Sequence, residues 1–287
     1  MRSKTVAADL YELTKPGITR LVLITTAVGF YLGSSGSFDL ALLLHALVGT
    51  GLLAAGTNAL NQWAERGVDA VMKRTRGRPL PSGRLRSSTA LVFSVGISVA
   101  GTLYLATLVN LLTACLGAAS LLIYIFAYTP LKRRTWWCTA VGAIPGAIPP
   151  LMGWAAVTGS LDTLAWVLFG IVFLWQMPHF FAIAWLYRLD YARAGFPMLP
   201  VVDSEGVRTA RQIVLYTLAL LVVSLLTSVL GLTGALYFFG ALTLGLAFLG
   251  LALALAFTRT GVQARRLFLG SVLYLPVLLV LMVVDKV

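Results

Sequence analysis

The chain has 287 residues, of which 59% are hydrophobic and 11% are charged, and its formal net charge is +12. Because soluble domains carry about 25% charged residues, this composition excludes a secreted disulfide scaffold, a disordered tail protein and a soluble nucleic-acid binder. Together with a mean hydropathy of +0.90, it indicates an integral membrane protein with no nucleic-acid partner.

Nine apolar runs follow one another along the chain, and each is long enough for a membrane helix of about 20 residues. They lie near residues 18–36, 38–62, 88–108, 110–129, 138–157, 163–187, 211–231, 234–257 and 267–284. We therefore predict an all-α polytopic membrane protein with nine transmembrane helices, in which residues 1–287 form a single domain.

The basic residues predict the orientation of these spans. Alternate threading places 21 of the 22 basic residues on one side, beginning with Arg2 and Lys4, and leaves only Lys286 on the other. Lysine and arginine accumulate in cytoplasmic loops, so we predict a cytoplasmic N-terminus and a multi-pass protein of the bacterial inner membrane. The two long loops, about 61–87 and 188–210, share this side. Since long loops are usually functional, we expect an active site that faces the cytoplasm.

Polar side chains recur at the end of the second span. Asn61, Glu65 and Asp69 are spaced by four residues, so a continuing helix would present them as one stripe, each about 6 Å above the last. Such oxygen ligands suit Mg²⁺, which is commonly shared between one or two carboxylates and phosphate oxygens. The alternative is a solvated helix end that nearby arginines neutralise.

Basic residues follow this stripe directly. Arg74 and Arg78 come after Asp69, and Lys132 and Arg133 occupy the next loop on the same side. Guanidinium groups match phosphate oxygens in bidentate fashion. Alone, such clusters could enforce topology and contact anionic membrane lipid. Combined with the carboxylate stripe, they favour a diphosphate bound with a divalent metal ion.

The loop after the sixth span repeats this order of polar helix end, basic residues and proline turn. Asp190 and Arg193 precede Pro197-Met198-Leu199-Pro200, as Asp69 precedes Arg78-Pro79-Leu80-Pro81. The similarity indicates a pseudo-repeat of about four spans around one central cavity. In that arrangement Asp190 would face Asp69 and offer a second metal ligand. The alternative is a simple surface charge.

Two further features concern the interior of the bundle. We predict that Cys115 and Cys138 are small core residues, since they lack the spacing of a metal or redox motif. Three prolines in the fifth span predict a broken helix that packs closely through its glycines. They are Pro145, Pro149 and Pro150.

Several motifs, in this order, resemble the UbiA-type intramembrane prenyltransferases, in the branch that uses protoheme. The match runs from about residue 10 to 215, and its motifs are Asn61-x3-Glu65-x3-Asp69, Arg78-Pro79-Leu80-Pro81, Tyr128-Thr129-x-Leu131-Lys132-Arg133-Arg134-Thr135, Gly142-x3-Gly146-Ala147-x-Pro149-Pro150, Trp175-Gln176-x-Pro178-His179-Phe180 and Asp190-Tyr191-x2-Ala194-Gly195-x-Pro197.

The resemblance implies a helical bundle around a lipid-accessible central cavity. Mg²⁺ and a diphosphate would lie at the cytoplasmic mouth, held by Asn61, Glu65, Asp69 and Asp190 and by Arg74, Arg78, Lys132, Arg133 and Arg193. Farnesyl diphosphate would alkylate a vinyl group of protoheme IX, with addition of water, to give heme O and diphosphate for heme-copper oxidases. The resemblance leaves room for contact with heme A synthase or with terminal oxidase assembly.

One departure separates this chain from many relatives that act on aromatic acceptors. Those relatives carry a second acidic pair, whereas here Ala194 stands where the partner of Asp190 would be. The departure agrees with the heme-using branch and weakens an assignment to 4-hydroxybenzoate. It leaves open whether one or two Mg²⁺ ions bind, and Arg193 could replace metal charge at the diphosphate.

The sixth span contains the histidine of greatest interest. His179 follows Pro178, where the helix loses a hydrogen bond and a kink can open, and polar groups inside a span are candidate functional residues. We hypothesise that His179 contacts the porphyrin, either as an iron ligand or as a hydrogen-bonding or packing residue. His45 is expected to be packed or lipid-facing. The expected pocket also includes Gln176 and the aromatic residues Tyr124, Tyr128, Trp175 and Tyr187. The alternative for these aromatic residues is an ordinary anchor at the membrane interface.

Three other functions compete with this interpretation. A sibling prenyltransferase would act on a quinone precursor such as 4-hydroxybenzoate. A secondary transporter also uses repeats and broken helices, but its coupling carboxylates lie near the membrane midplane, whereas the acidic residues here fall at helix ends or in loops. A non-catalytic oxidase assembly factor would not need the acidic stripe.

Overall fold

The structure is a computed structural model that describes residues 5–287. Arg2 and Lys4, which contribute to the predicted orientation, lie outside the described residues. The elements are α1 Val6–Leu13, α2 Pro16–Gly33, α3 Leu40–Asp69, α4 Ser87–Leu108, α5 Leu111–Leu122, a π-helical segment Ile123–Tyr128, α6 Thr129–Leu131, α7 Cys138–Thr158, α8 Thr163–Leu186, α9 Arg188–Arg193, α10 Leu199–Val202, α11 Val207–Val229, α12 Ala235–Thr258 and α13 Gly261–Val284.

Within residues 5–287, nine helical stretches are long and apolar enough to cross a membrane, as predicted. The fourth is composite, since α5, the π-helical segment and α6 form one stretch over Leu111–Leu131. The last span begins at Gly261 instead of near 267, because the Thr260 side chain accepts a hydrogen bond from the Gln263 backbone N–H and caps the helix. Arg265 therefore lies on α13 and not in a loop.

The helices form a closed bundle around α7 and α8, which are the most buried spans. α2 packs against α3, α7 and α13, and α8 packs against α7, α11 and α13. The C-terminus closes the bundle. Lys286, predicted alone on its side, donates from Nζ to the Tyr31 carbonyl at the end of α2 at 2.7 Å. Asp285 accepts from the Tyr237 backbone N–H at the start of α12 at 2.6 Å.

The fifth span, α7, is one continuous helix, so the predicted break is wrong. Pro149 cannot donate to the Pro145 carbonyl, and the Ser120 hydroxyl donates to that carbonyl instead, at 3.2 Å. Proline is tolerated inside a membrane helix when neighbouring groups form hydrogen bonds with the backbone carbonyls that it leaves without a partner. The prediction of close packing is confirmed, since a methyl group at Gly153 would overlap the Thr26 carbonyl of α2.

The predicted positions of the two cysteines and of His45 are confirmed only in part. Cys138 is fully buried, but Cys115 is exposed on the outside of the bundle, so its prediction as a core residue is wrong. Hydrophobicity alone does not distinguish a lipid-facing position from a core position in a membrane helix, because both positions are apolar. His45 packs between α3 and α4, with Nδ1 2.8 Å from the Tyr104 hydroxyl.

Candidate active site

A cavity of about 770 Å³ lies within the bundle, lined by α2, α3, α7, α8, α13 and the fourth span. It extends to the face that carries the loops 70–86, 132–137 and 187–206, which we call the basic face. Most of the site residues expected from the sequence line this cavity: Asn61, Glu65, Asp69, Arg74, Arg78, Tyr128, Lys132, Trp175, Gln176 and His179.

The polar stripe lies on a single helix, because α3 runs unbroken to Asp69. Asn61, Glu65 and Asp69 are 1%, 8% and 4% exposed and line the same cavity. Each contacts a cation from a different segment. Lys15 Nζ donates to Asn61 Oδ1 at 2.8 Å, Lys132 Nζ lies 2.7 Å from Glu65 Oε1, and Arg78 Nη1 lies 2.7 Å from Asp69 Oδ2.

The two lysines of this cluster differ in their protonation. Burial and the nearby Arg78 charge lower the pKa of Lys15 to about 7. Burial alone would also lower the pKa of Lys132, but the Glu65 carboxylate and the neighbouring Tyr128 and Tyr124 together outweigh burial, so that pKa is raised well above its ordinary value. Lys132 is therefore a permanent cation, whereas an anion bound beside Lys15 would favour its charged form.

The donor atoms of the stripe fit Mg²⁺ shared with a substrate. Asp69 pairs through Oδ2 and Glu65 through Oε1, so each carboxylate keeps a second oxygen outside its ion pair. In residues 5–287 there is no group of three or more His, Cys, Asp and Glu side chains placed to hold a metal ion. Two carboxylates and an amide suit a magnesium ion whose remaining ligands are phosphate oxygens and water.

Lys15 is a site residue that the sequence did not single out beyond its charge. Its backbone is left-handed, with φ of 47°, directly before Pro16 at the start of α2. α1 is anchored because the Arg84 guanidinium binds Asp9 at 2.9 Å and Glu12 at 3.0 Å. The Gln62 amide of α3 also donates to the Leu13 carbonyl at 2.9 Å. A lysine directly before the first span, on the basic face, was the available signal.

Four expected site residues lie outside the cavity lining: Arg133, Tyr187, Asp190 and Arg193. Asp190 belongs to α9, and its Oδ1 lies 3.4 Å from Arg193 Nη1 on the next turn. Tyr187 reaches the site indirectly, since the Arg74 guanidinium lies 5.0 Å from the centre of its ring. The residue that lines the cavity from α9 is Tyr191.

The fourth span contributes a feature that no sequence pattern indicated. Its π-helical turn, Ile123–Tyr128, places Tyr124 and Tyr128 side by side in the cavity, with ring centres 4.9 Å apart. Lys132 Nζ lies 4.5 Å from the Tyr128 ring centre, a cation–π contact. Such π-helical turns are frequent at functional sites.

The wall formed by α8 and α13 is aromatic. The Trp175 and His179 rings stack with centres 5.0 Å apart. Trp175 Nε1 donates to the Ser271 carbonyl at 2.8 Å, and His179 Nδ1 lies 2.7 Å from the Ser271 hydroxyl. The Gln176 amide donates to the Ala143 carbonyl of α7 at 3.1 Å. α8 remains one helix through Pro178.

The sequence is similar over almost its whole length to curated bacterial enzymes. It is 54% identical to the protoheme IX farnesyltransferase of Solibacter usitatus, over 97% of this chain and 98% of that protein. It is 45% identical to the protoheme IX farnesyltransferase of Myxococcus xanthus, over 99% of this chain and 96% of that protein.

Solved structures share the fold at low sequence identity. A structure described as a digeranylgeranylglyceryl phosphate synthase has a TM-score of 0.83 at 16% identity, covering 97% of this chain and 98% of that one. A UbiA homologue from Archaeoglobus fulgidus, bound to DMAPP and Mg²⁺, has a TM-score of 0.69 at 14% identity, covering 96% and 99%. The profile of the UbiA prenyltransferase family matches residues 22–276. The chain therefore belongs to the UbiA prenyltransferase family.

Proposed function

We propose that the protein transfers the farnesyl group of farnesyl diphosphate to a vinyl group of protoheme IX, with addition of water, to give heme O and diphosphate. One observation carries the proposal: a single cavity joins the stripe of Asn61, Glu65 and Asp69 to an aromatic wall that contains His179. The names of the curated relatives support the same reaction.

The diphosphate end of the cavity is the part that ionises the donor. Asn61, Glu65 and Asp69 would hold Mg²⁺, which when bound supplies positive charge to the departing diphosphate. Arg74, Arg78 and Lys132 line the same space and would neutralise the remaining phosphate charge. Asp190 pairs with Arg193 and does not line the cavity, so the proposed metal site does not depend on it.

The apolar part of the cavity suits the allylic cation that forms when the carbon–oxygen bond of the donor breaks. Tyr124 and Tyr128 line the cavity, and the Tyr128 ring lies beside Lys132, the partner of Glu65. Aromatic faces stabilise cations. A water-poor space also limits quenching of the cation by solvent. The vinyl group of protoheme would attack the cation, and water would then add to the resulting carbocation and lose a proton.

The test supplies membranes that contain the protein with protoheme IX, farnesyl diphosphate and Mg²⁺, and then analyses the extracted hemes by mass spectrometry. We expect a heme heavier by one farnesyl group plus water. Membranes with the Asp69→Asn variant serve as the control. A parallel incubation contains 4-hydroxybenzoate as a second acceptor. Alkylated 4-hydroxybenzoate together with unaltered protoheme would contradict the proposal and indicate an enzyme that acts on a quinone precursor.

A further inference from the structure

We propose that Ser271 on α13 is a positioning residue that makes His179 an axial ligand of the heme iron, by holding the imidazole in its Nδ1-protonated tautomer. The inference rests on the proposed function, because the iron belongs to the heme substrate. It concerns a residue outside the motifs that carry the family resemblance, 92 positions from His179 in the chain.

The tautomer follows from counting protons. Ser271 Oγ lies 2.6 Å from the Phe268 backbone carbonyl, which can only accept, so the serine hydroxyl proton points to that carbonyl. The same Oγ lies 2.7 Å from His179 Nδ1. With the hydroxyl proton donated to that carbonyl, Oγ can only accept from His179, and Nδ1 then carries the hydrogen. In a neutral imidazole the lone pair then lies on Nε2.

The orientation of the ring is also held by its neighbours. Trp175 stacks on one side of His179, with ring planes inclined by 23°, and the Phe268 ring centre lies 5.2 Å away. Trp175 is held in turn by its hydrogen bond to the Ser271 carbonyl. One residue of α13 therefore fixes two neighbouring side chains of α8, which is how outer-shell groups orient metal-binding histidines.

The remaining nitrogen is available to a ligand in the cavity. His179 lines the cavity and, within residues 5–287, its hydrogen bonds involve Nδ1 alone. A neutral imidazole whose other N–H is held by a hydrogen bond is the usual form of a histidine that binds a metal. Phe180 and Phe268 line the space beside it, as expected of a pocket for a flat apolar macrocycle.

The experiment titrates hemin into the purified protein in detergent and records the Soret band. Wild type is compared with His179→Ala, Ser271→Ala and Ser271→Thr, which keeps the hydroxyl. We expect His179→Ala to shift the band, and Ser271→Ala to weaken hemin binding about 10-fold to 100-fold, the usual effect of losing an outer-shell partner. Ser271→Thr should restore most of the affinity and the wild-type band.

The matched control is Ser98→Ala. Ser98 is a buried helical serine whose hydroxyl donates to the Ser94 carbonyl at 2.8 Å, and it does not line the cavity. Its hemin affinity and spectrum should equal those of wild type. Affinity for inorganic diphosphate with Mg²⁺, measured on each variant, should stay within about twofold of wild type. A loss of both affinities in Ser271→Ala, without rescue by Ser271→Thr, would mean a purely structural serine and would overturn the proposal.

The outcomes separate this proposal from the proposed function. If wild type farnesylates protoheme while His179→Ala leaves the Soret band unchanged, His179 does not bind the iron and the inference fails, although the enzymatic function stands. An unchanged hemin affinity and spectrum in Ser271→Ala would likewise overturn it. If wild type neither binds hemin nor alters it in the membrane assay, the proposed function fails first.

Discussion

Each of the three polar side chains of the stripe is buried beside a basic side chain. Asn61, Glu65 and Asp69 are buried, and each contacts a cation. Burying an unpaired carboxylate would cost several kcal/mol, so these contacts make the stripe tolerable in an apolar bundle. The same cations place positive charge where a diphosphate would bind.

Replacing Asp69 by asparagine should abolish turnover and leave the protein folded. The change removes the negative charge that would hold Mg²⁺ but keeps the size of the side chain. Heme O formation in membranes measures the loss, and thermal unfolding in detergent measures the fold. The matched control is Asp162→Asn, at the start of α8, because asparagine caps a helix as well as aspartate does. Full activity in Asp69→Asn would exclude Asp69 from the metal site.

The buried pair of Glu65 and Lys132 should be coupled in stability. Lys132→Met leaves the Glu65 carboxylate unpaired and should lower the free energy of unfolding by about 3 kcal/mol. The double variant Glu65→Gln/Lys132→Met should recover most of this loss, since no unpaired charge remains. Thermal unfolding in detergent measures both.

The pair of Asp190 and Arg193 on α9 provides the comparison for that experiment, because its cation is the more exposed one. The Arg193 side chain is 50% exposed, so Arg193→Met should cost less than about 1 kcal/mol. Equal losses in Lys132→Met and Arg193→Met would contradict the assignment of the Glu65 pair as buried and coupled.

Removing divalent metal should stop the reaction. The Glu65 and Asp69 carboxylates would repel a diphosphate unless a divalent cation lies between them, so we expect no heme O in excess EDTA and recovery on addition of Mg²⁺. Thermal unfolding should change little, because the three oxygen-bearing side chains already have protein partners. Undiminished turnover in EDTA would refute a metal-dependent mechanism.

At the scale of elements, the contact between α2 and α7 decides how closely the bundle packs. Gly29 faces the Pro150 carbonyl and Gly153 faces the Thr26 carbonyl, with no room for a methyl group at either glycine. Small residues permit such close approach of membrane helices. The helix α7 stays intact despite its three prolines, although their number in the sequence predicts a break. Neighbouring groups such as the Ser120 hydroxyl bind the carbonyls that the prolines leave without a partner.

Gly153→Ala should therefore destabilise the protein by about 1–3 kcal/mol, because overpacking forces helices apart. Gly96→Ala is the matched control, since Gly96 lies inside α4 with no atom within 4 Å of the added methyl group. Its stability should be unchanged or slightly higher, as alanine favours helix over glycine. Thermal unfolding midpoints in detergent compare the two, and equal midpoints would show that α2 and α7 do not limit packing.

At the scale of the whole molecule, the loops of the basic face should lie on the cytoplasmic side, as the distribution of lysine and arginine predicts. In a variant without the two native cysteines, we expect Ser160→Cys to react with a membrane-impermeant maleimide added to spheroplasts, and Glu205→Cys to react only after lysis. Both positions are exposed and lie in loops at opposite ends of α8. The reverse labelling pattern would invert the proposed orientation.

The membrane spans and the polar stripe of this protein could be predicted from its sequence alone. Apolar run length determines the spans, because the cost of burying a peptide segment in lipid is a local property of that segment. Helical period likewise determines the stripe of Asn61, Glu65 and Asp69. The partners of these side chains cannot be predicted in this way, because Lys15 is 46 positions from Asn61 and Lys132 is 67 positions from Glu65.

Only the tertiary structure decided which helices are neighbours, and therefore which side chains share the cavity. Ser271 lies on an ordinary apolar span, and nothing in the local pattern connects it with His179. The same holds for Asp190, whose spacing resembles that of Asp69 although its carboxylate lies outside the cavity lining. Packing between distant helices depends on shape and hydrogen bonding over the whole bundle, whereas span length and helical period depend on consecutive residues alone.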